Sequence, residues 1–373
     1  MPRGQSFVSE CHRVQPNIAL QSELIGRIKT ERDFEMLAQV WEIVGGGPGG
    51  ARALRRAMRD IPGPGPGEVL VAIRAVSLNY RDVLQLRGAY NPRQELPLIP
   101  CSDAAGDVIA VGIGVKSFAV GDRVVNHGLP GWQDGPFRTD RDRIMYGGPD
   151  DGTLATHRLF RASTILHVPD HLSFVEAGTL TCAGLTAWSA VVTHGAVRPG
   201  ETIVIQGTGG VSIFALQFAK LAGARTVVTS SSLEKLQRVK QLGADHVIDY
   251  GDAEWPQQIR ALTDGRGADA IVEVAGTIND SVRAIRGGGV ILSVGVLAAS
   301  DPTVNLPMIV MRAVRLQGVT LGSLAEMREM LNAIGLAKLR PIVDSVVAFD
   351  DADKAFDYYG QTNIFGKVVI ELP

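Results

Sequence analysis

The chain has 373 residues, of which 45% are apolar and 20% are charged, and its formal net charge is −2 at pH 7. This composition is typical of a soluble globular chain with two or three domains. It argues against a nucleic-acid partner, and no run of 18 apolar residues predicts a membrane span. The scattered cysteines Cys11, Cys101 and Cys182 form no disulfide framework and indicate a reducing compartment, for which we expect the cytoplasm.

Residues 1–36 are predicted to be an N-terminal extension. They contain no apolar segment of the kind found in signal peptides. Basic residues such as Arg3 and Arg13 are interspersed with Glu10 and Glu23, whereas a transit peptide is poor in acids. We therefore expect an appended arm without a targeting role.

The chain from residue 37 to residue 170 is rich in short predicted strands and has little helix. Alternating apolar residues bounded by turn residues predict strands at 38–44, 68–76, 107–112 and 120–125. A group of arginines follows the first strand without interleaved aromatics, so a solvated hairpin face is favoured over a binding patch for Arg52, Arg55, Arg56 and Arg59. The pattern indicates a compact β-barrel domain.

The segment 127–156 is rich in glycine, proline and aspartate and is long for a connection inside a compact domain. Long irregular segments are often functional, so one interpretation is a lid over a substrate pocket. The other is a plain surface excursion, and the sequence leaves both open.

A strand, a glycine turn and a helix are predicted at residues 203–220. The strand is apolar and β-branched, and from Val211 the apolar residues recur with helical spacing. The turn between them contains Gly207, Gly209 and Gly210. Such a turn allows a pyrophosphate to bind at the helix N-terminus. Ser212 replaces the third glycine of the Gly-x-Gly-x-x-Gly motif, so the motif alone is weak evidence.

The chain after this turn supports a dinucleotide-binding fold. A second strand at 226–229 arrives about 20 residues after Gly207, which is the expected distance. Strands and helices then alternate as far as residue 294, which predicts a doubly wound parallel sheet. Later apolar patterns predict strand character at 309–322, a helix at 324–336, and a last strand at 365–372 that returns to the first domain.

Six motifs in order resemble those of the medium-chain dehydrogenase/reductase superfamily, in the branch of alcohol dehydrogenases and quinone-reductase-like proteins. They are LNYRD (78–82), PLIP (97–100), AVGDRV (119–124), the turn at 207–220, LGADHVID (242–249) and GKVV (366–369). The resemblance implies an α/β fold with two domains. A GroES-like β-barrel catalytic domain takes residues 37–170 and 335–373, and a Rossmann domain with a doubly wound parallel sheet takes residues 171–334. We also expect a homodimer.

The same resemblance bears on metal binding. Zinc-dependent members hold a catalytic metal with a Cys, a His and a later Cys, and here Asn79, Ser102 and Cys182 stand at these places. An amide and a hydroxyl do not replace thiolate and imidazole ligands, and the four-cysteine structural lobe is missing. Asp103 and His127 are alternative ligands, but no known spacing supports them. We therefore expect no metal.

NADPH is the expected cofactor. An NAD enzyme usually carries an acid at the end of the second strand to bind the ribose 2′-OH, whereas this chain has TSSSLEK at 229–235. The hydroxyls and the lysine can bind a 2′-phosphate instead. The predicted cofactor-binding residues are Gly207, Thr208, Gly209, Gly210, Val211, Ser230, Ser231, Lys235, Thr186, Ala275, Gly276, Val294, Gly295 and Lys367.

A reductase without a metal needs a proton donor beside the nicotinamide. The place of Tyr90 matches a tyrosine of enoyl and quinone reductases, Tyr80 is the second candidate, and Asn79 is expected to orient the cofactor ribose or the substrate. Tyrosine is neutral at pH 7 and can release its proton as the hydride arrives. The predicted reaction is hydride transfer from NADPH to a conjugated enone, a quinone or an aldehyde. A zinc-type alcohol dehydrogenase and a cofactor-binding protein without turnover are the alternatives.

Overall fold

The structure, a computed structural model, describes residues 35–45, 51–295, 304–361 and 364–373. The predicted N-terminal extension and Cys11 therefore lie outside the described residues, apart from the last two positions of the extension. These two positions belong to the first strand, which begins at Glu35 and not at residue 38 as predicted.

A two-stranded antiparallel hairpin begins the described chain. Its strands are β1 (Glu35–Val44) and β2 (Ala53–Pro62). Arg55 and Arg59 on β2 both pair with the buried Glu42 on β1, at 3.0 and 2.5 Å. These arginines hold the hairpin together, which agrees with the predicted solvated hairpin face.

The first large sheet has seven strands and is formed by both ends of the chain. Its order is β14-β15-β3-β4-β5-β7, and β6 pairs with β3 outside this path. The strands are β3 (Glu68–Ser77), β4 (Asp103–Val111), β5 (Arg123–Asn126), β6 (His157–Arg161), β7 (Ile165–His167), β14 (Val343–Ala348) and β15 (Lys367–Glu371). Strand β15 runs antiparallel to β3 with Val369 opposite Ser77. This register carries Lys367 past the end of β3, to the level of Asn79.

The segment 127–156 forms isolated bridges but no strand or helix, as expected for an irregular connection. It contacts the start of a later helix, where the backbone N–H groups of Leu324 and Ala325 donate to the carbonyl oxygens of Trp132 and Gln133. Its function as a lid stays a prediction.

The second large sheet has six parallel strands in the order β10-β9-β8-β11-β12-β13. The strands are β8 (Thr202–Gln206), β9 (Arg225–Ser230), β10 (His246–Asp249), β11 (Ala268–Glu273), β12 (Ile285–Ser293) and β13 (Arg315–Gly318). In chain order this is the arrangement 3-2-1-4-5-6 of dinucleotide-binding sheets. The predicted doubly wound fold is therefore confirmed, and ligands are expected beyond the carboxyl ends of these strands.

The helices surround the sheets. They are α1 (Tyr80–Leu86), α2 (Phe174–Ala177), α3 (Leu185–Trp188), α4 (Gly210–Leu221), α5 (Leu233–Gln241), α6 (Trp255–Leu262), α7 (Ile278–Ala284), α8 (Leu306–Met311), α9 (Leu324–Ala337) and α10 (Ala352–Gly360). The π-helical turns Leu180–Gly184 and Ser189–His194 flank α3. No helix within the described ranges is both long enough and apolar enough to cross a membrane.

The prediction of strand character across 309–322 was wrong for its first part. Residues 309–311 belong to α8, which Asn305 caps by accepting a hydrogen bond from the N–H of Met308. Only Arg315–Gly318 forms a strand. The apolar side chains Val310 and Met311 are exposed, so their apolar character did not reflect a buried strand.

Candidate active site

The phosphate-binding turn has the backbone conformation that its glycines predicted. Gly207 has a φ of +74°, which favours glycine, and Gly209 is the residue before α4. The first N–H groups of a helix have no intrahelical partners and can bind an anion. Ser212 fits in place of the third glycine because its Oγ donates to the carbonyl oxygen of Gln206 at 2.7 Å.

The turn also contacts the last strand of the first sheet. The N–H of Gly366 donates to the carbonyl oxygen of Thr208 at 3.0 Å. A Cβ atom at Gly210 would come within 2.6 Å of Cδ of Lys367. The phosphate turn and Lys367 therefore pack directly against each other, and only glycine permits this approach.

The predicted 2′-phosphate residues gather at the end of β9 and the start of α5. Ser230 is buried, Ser231 is exposed, and Ser232 caps α5 by accepting a hydrogen bond from the N–H of Lys235. The Lys235 ammonium donates to the carbonyl oxygen of Ile364 at 3.0 Å, and burial lowers its pKa. A phosphate oxygen can take the place of the Ile364 carbonyl oxygen as the acceptor of the Lys235 hydrogen bond.

Glu273, which no sequence motif marked, holds the backbone at the predicted cofactor wall in place. This buried carboxylate at the end of β11 accepts hydrogen bonds from the N–H groups of Ala275 and Gly276, at 2.8 and 2.9 Å. The N–H of Val294 donates to the Glu273 carbonyl oxygen, and a Cβ atom at Gly295 would lie 3.1 Å from a backbone oxygen. The four residues predicted to line the wall of the cofactor site therefore lie close together, namely Ala275, Gly276, Val294 and Gly295. Thr186 is buried on α3, and Val211 lies in the first turn of α4.

A buried ammonium lies where the two domains meet. Nζ of Lys367 donates to the carbonyl oxygen of Leu78 and to Oδ1 of Asn79, both at 2.6 Å. It lies 3.7 Å from Oδ2 of Asp103, and both side chains of this ion pair are at most 1% exposed. A buried charge needs such partners, because removal from water is otherwise unfavourable.

The Asp103 carboxylate receives further donors. The hydroxyls of Ser77 and Ser102 donate to it at 2.9 and 2.7 Å. The backbone N–H of Cys182 approaches Oδ2 at 3.4 Å. Burial raises the pKa of the Cys182 thiol to about 12, so this side chain is a neutral thiol at pH 7.

Asp82 stabilises the start of α1, next to this cluster. Its carboxylate accepts a hydrogen bond from the N–H of Asn79 at 2.8 Å. Burial raises the pKa of Asp82 to about 6, although the neighbouring Arg81 acts in the opposite direction. The Asn79 backbone and side chain are thus fixed by two different residues.

The residues at the zinc-ligand places do not fit a metal. Asn79 Oδ1 accepts from Lys367 and Ser102 donates to Asp103, so Cys182 is the one residue at these three places with a usual zinc-binding side chain. Both ring nitrogens of His127 lie 2.9 Å from backbone carbonyl oxygens, so this residue is engaged elsewhere. Within the described part of the chain, no three His, Cys, Asp or Glu side chains are grouped as a metal site would need. The glycine turn and cleft walls, in contrast, fit a dinucleotide.

The tyrosines differ in their surroundings. Tyr90 is 50% exposed, and the Arg81 guanidinium lies 5.1 Å from its ring centroid. Tyr80 is the first residue of α1. Tyr359 on α10, which the sequence analysis missed, has a pKa raised above its usual range by burial and by the charges of Asp82 and other site residues. No sequence motif marks Tyr359, because α10 reaches the site through the fold.

Arg52, which directly precedes β2 of the hairpin, holds the loop that carries Tyr90 in place. The Arg52 guanidinium donates to the carbonyl oxygens of Gln85 and Asn91, at 2.8 and 3.0 Å. Arg81 donates to the carbonyl oxygen of Tyr146 at 2.9 Å, which connects this loop to the segment 127–156. The Arg81 guanidinium therefore contacts both the Tyr90 ring and the predicted lid.

Comparisons with known proteins agree with this architecture. The family model of the alcohol dehydrogenase GroES-like domain matches residues 65–170, and that of zinc-binding dehydrogenases matches residues 210–335. A zinc-type alcohol dehydrogenase-like protein of Schizosaccharomyces pombe is 38% identical over 316 residues, covering 82% of this chain and 91% of the relative. The chloroplastic quinone oxidoreductase QR1 of Triphysaria versicolor is 31% identical over 341 residues, covering 87% of this chain and 95% of the relative.

A solved structure of an NAD-dependent alcohol dehydrogenase superposes with a TM-score of 0.82 at 32% identity, covering 90% of this chain and all of that one. The two-domain fold predicted from the motifs is therefore confirmed, whereas the exact domain boundaries stay predictions. The chain belongs to the medium-chain dehydrogenase/reductase superfamily, in its branch of alcohol dehydrogenases and quinone oxidoreductases, and is an NAD(P)-dependent oxidoreductase.

Proposed function

We propose that this enzyme transfers hydride from NADPH to a conjugated enone, a quinone or an aldehyde without a metal. The observation that carries the proposal is the state of the three zinc-ligand places. Asn79 accepts a hydrogen bond from the Lys367 ammonium, and Ser102 donates one to the Asp103 carboxylate, which leaves Cys182 as the one usual zinc ligand at these places. A catalytic zinc site needs about three protein ligands, and one cysteine with an amide and a hydroxyl does not supply them.

The chemistry of the substrate follows from this site. An unactivated alcohol is a poor substrate without a metal, because nothing equivalent stabilises its alkoxide. Enones and quinones need less assistance, since the charge that forms spreads over the conjugated system. The quinone oxidoreductase among the relatives favours such a substrate, although it bears on this chain only by similarity.

The residues of this chain hold the reactants and manage the proton. The turn at 207–210 would hold the pyrophosphate, and the backbone around Ala275 and Gly295 would wall the cofactor. When bound, NADPH supplies the hydride. Tyr90 gives or positions the proton that the reduced substrate requires. Tyr80 and Tyr359 are the other tyrosines near this end of the site.

The preference for NADPH over NADH rests on the end of β9. Ser230, Ser231 and Lys235 lie there, and no acid stands at the place that would accept the ribose 2′-OH. The Lys235 ammonium donates to the carbonyl oxygen of Ile364, and a phosphate can replace this acceptor.

A homodimer is the proposed assembly. Strand β13 is an edge strand of the six-stranded sheet as described, and Leu316 on it is exposed. Helix α8 beside it exposes Leu306, Val310 and Met311. An edge strand with neighbouring apolar side chains can pair with a second copy, and light scattering on the purified protein tests for two chains.

The experiment that tests the function is a survey of hydride transfer in both directions. The purified enzyme is offered enones, quinones and aldehydes with NADPH, and simple alcohols with NADP⁺, each with and without a chelator. We expect turnover with a conjugated acceptor that the chelator does not reduce. Oxidation of alcohols that depends on added zinc would instead support a zinc-type alcohol dehydrogenase, which the name of the fission yeast relative favours.

A further inference from the structure

A second cleft lies at the amino ends of the parallel strands, opposite to the cofactor turn. Its volume is about 270 Å³, and it is lined by the segment before β8 and by the amino-terminal parts of β11, β12 and β13. The cofactor turn follows the other end of β8, and the five residues of this strand span about 16 Å. A ligand in this cleft would therefore be separate from the reaction site.

Three guanidinium groups line the cleft, and they come from three different parts of the chain. Arg198 precedes β8, Arg286 is the second residue of β12, and Arg315 is the first residue of β13. The strand register contributes to this arrangement, because Arg315 lies opposite Val290 on β12 and Val290 lies opposite Ala270 on β11. The fold thus collects basic residues that are far apart in the sequence.

One carboxylate of the cleft is already neutralised. Asp269 accepts hydrogen bonds from the backbone N–H of Thr202 at 2.8 Å and from Nε of Arg286 at 2.6 Å. Arg266, outside the lining, also pairs with Asp269 at 3.3 Å. Asp269 therefore has no need of a further cation from the cleft, and Nη2 of Arg286 has no partner among the described residues.

The other two arginines of the cleft have no acidic partner. The guanidinium groups of Arg198 and Arg315 form no hydrogen bond or ion pair with any described residue, and both residues are exposed. The second carboxylate of the cleft, Glu201, accepts a hydrogen bond from the backbone N–H of Arg198 at 2.9 Å, and this bond involves neither guanidinium. Like charges that share a cleft repel each other, so an anion between them would be stabilised.

The chemistry of guanidinium groups indicates the class of this anion. Arginine binds phosphate through parallel hydrogen bonds, and it does so more specifically than lysine. The tetrahedral oxygens of a phosphate can be bound from several sides, whereas a carboxylate offers two oxygens in one plane. The volume lies just below the range of about 300–1,000 Å³ found for sites of drug-sized ligands, so the ligand is small.

We propose that this cleft is a second binding site, for a small phosphate-bearing anion held by Arg198, Arg286 and Arg315. The site lies in the dinucleotide-binding domain but does not take part in hydride transfer. It is therefore independent of the proposed reaction, and a dinucleotide is too large to occupy it. Binding of the anion would stabilise the folded domain by mass action.

Calorimetric titration with inorganic phosphate, glycerol 3-phosphate and malonate tests the proposal. The buffer contains no other multivalent anion, and the cofactor turn is first filled with NADP⁺. We expect one phosphate or phosphate ester per chain with a Kd of about 1 mM or lower. The lower of the two values identifies the free ion or the ester as the ligand. Tighter binding of malonate than of either phosphate would contradict the ligand class.

Two substitutions remove charge from the cleft without breaking a contact. Arg198→Gln and Arg315→Gln should each weaken phosphate binding by about tenfold, because each removes a charge-assisted hydrogen bond. The double variant should show no saturable binding, with kcat unchanged. Arg328→Gln, at an exposed arginine of α9 without a partner among the described residues, is the matched control and should bind phosphate as the wild type does.

A third substitution reverses the sign of the effect. Glu201→Gln keeps an acceptor for the Arg198 N–H and removes a negative charge, so it should strengthen phosphate binding. Weaker binding in this variant would contradict an electrostatic anion site. Absence of saturable binding to the wild type, or the same affinity in the double variant, would overturn the proposal.

Light scattering on each variant separates anion binding from assembly, because Arg315 begins the edge strand proposed for the homodimer. If Arg315→Gln loses the second chain, the decision rests on Arg198→Gln, which lies outside that strand. Unchanged phosphate affinity in Arg198→Gln would then refute the site, and a tenfold loss with the assembly intact would support it.

Discussion

The backbone N–H of Gly366 donates to the carbonyl oxygen of Thr208 at 3.0 Å, so the last strand of one domain is tied to the phosphate turn of the other. The next residue is Lys367, whose ammonium contacts Asn79. One short segment thus connects the expected pyrophosphate site with the expected reaction site. A disturbance at Gly366 should affect both.

Gly366→Ala should weaken cofactor binding and slow the reaction together. Gly366 has a φ of +86°, and a Cβ atom there would collide with the carbonyl oxygen of Ile342. We expect the Kd of NADPH to rise and kcat to fall, each by about tenfold or more, since a shift of about 1 Å at a site can cost that much. Gly243→Ala is the matched control, because Gly243 has a φ of +95° but no atom near its Cβ position. It should lose about 1–2 kcal/mol of unfolding free energy without a kinetic change. If kcat and the Kd of NADPH were the same in both variants, Gly366 would not connect the phosphate turn to the reaction site.

Lys235→Ala should discriminate between the two nicotinamide cofactors. A charge-assisted hydrogen bond contributes about 1.5–3 kcal/mol, so the KM for NADPH should rise about 10- to 100-fold while that for NADH stays nearly the same. Lys240→Ala on the same helix is the control, since Lys240 donates to the carbonyl oxygen of Asp245 away from β9. Equal effects of Lys235→Ala on both cofactors would count against a 2′-phosphate site.

Tyr90→Phe tests the proton donor. A positioned acid typically contributes about 10²–10⁴-fold, so kcat should fall within that range while NADPH binding is unchanged. Tyr80→Phe and Tyr359→Phe are measured in parallel on the same acceptors. A Tyr90→Phe enzyme with nearly full kcat on every accepted substrate would remove Tyr90 from the mechanism, and a deficit in one of the other two variants would identify the replacement.

Asp82 should give stability an unusual dependence on pH. Burial raises its pKa from 3.8 to about 6, so the folded protein binds this proton more tightly than the unfolded chain does. The contribution of Asp82 is therefore complete below pH of about 4 and is lost as the pH rises through about 6, with a total of about 3 kcal/mol. Asp82→Asn, which keeps an acceptor for the Asn79 N–H, should remove this part of the slope in urea unfolding between pH 4 and 7. Parallel curves for the two proteins would refute the raised pKa.

The sequence contained enough information for the fold and for the cofactor turn. The alternation of apolar strands and helices after residue 202 led directly to the parallel sheet, because each element has its own period. The prediction at 309–311 was wrong because a short apolar run is typical of a buried strand, whereas here the run lies on α8 and its side chains Val310 and Met311 are exposed. Local pattern does not distinguish a buried apolar residue from one that faces solvent or a second chain.

The charge cluster could not be predicted from sequence patterns. Lys367 and Asn79 are 288 positions apart and meet only through the register of β15 on β3. Glu273 and Tyr359 were missed for a similar reason, since their partners come from several elements. The absence of the expected ligands at 79 and 102 was visible in the sequence, whereas the ammonium beside them was visible only in the structure.

Hydride transfer without a metal is tested most directly by the metal content of the active enzyme. The protein is dialysed against a chelator, its metals are quantified by mass spectrometry, and its kcat with NADPH and a conjugated acceptor is measured on the same sample. We predict less than about 0.1 zinc per chain with full kcat, because the residues at the zinc places are engaged with Lys367 and Asp103. About one zinc per chain before dialysis, with activity lost to the chelator and restored by zinc, would contradict the account.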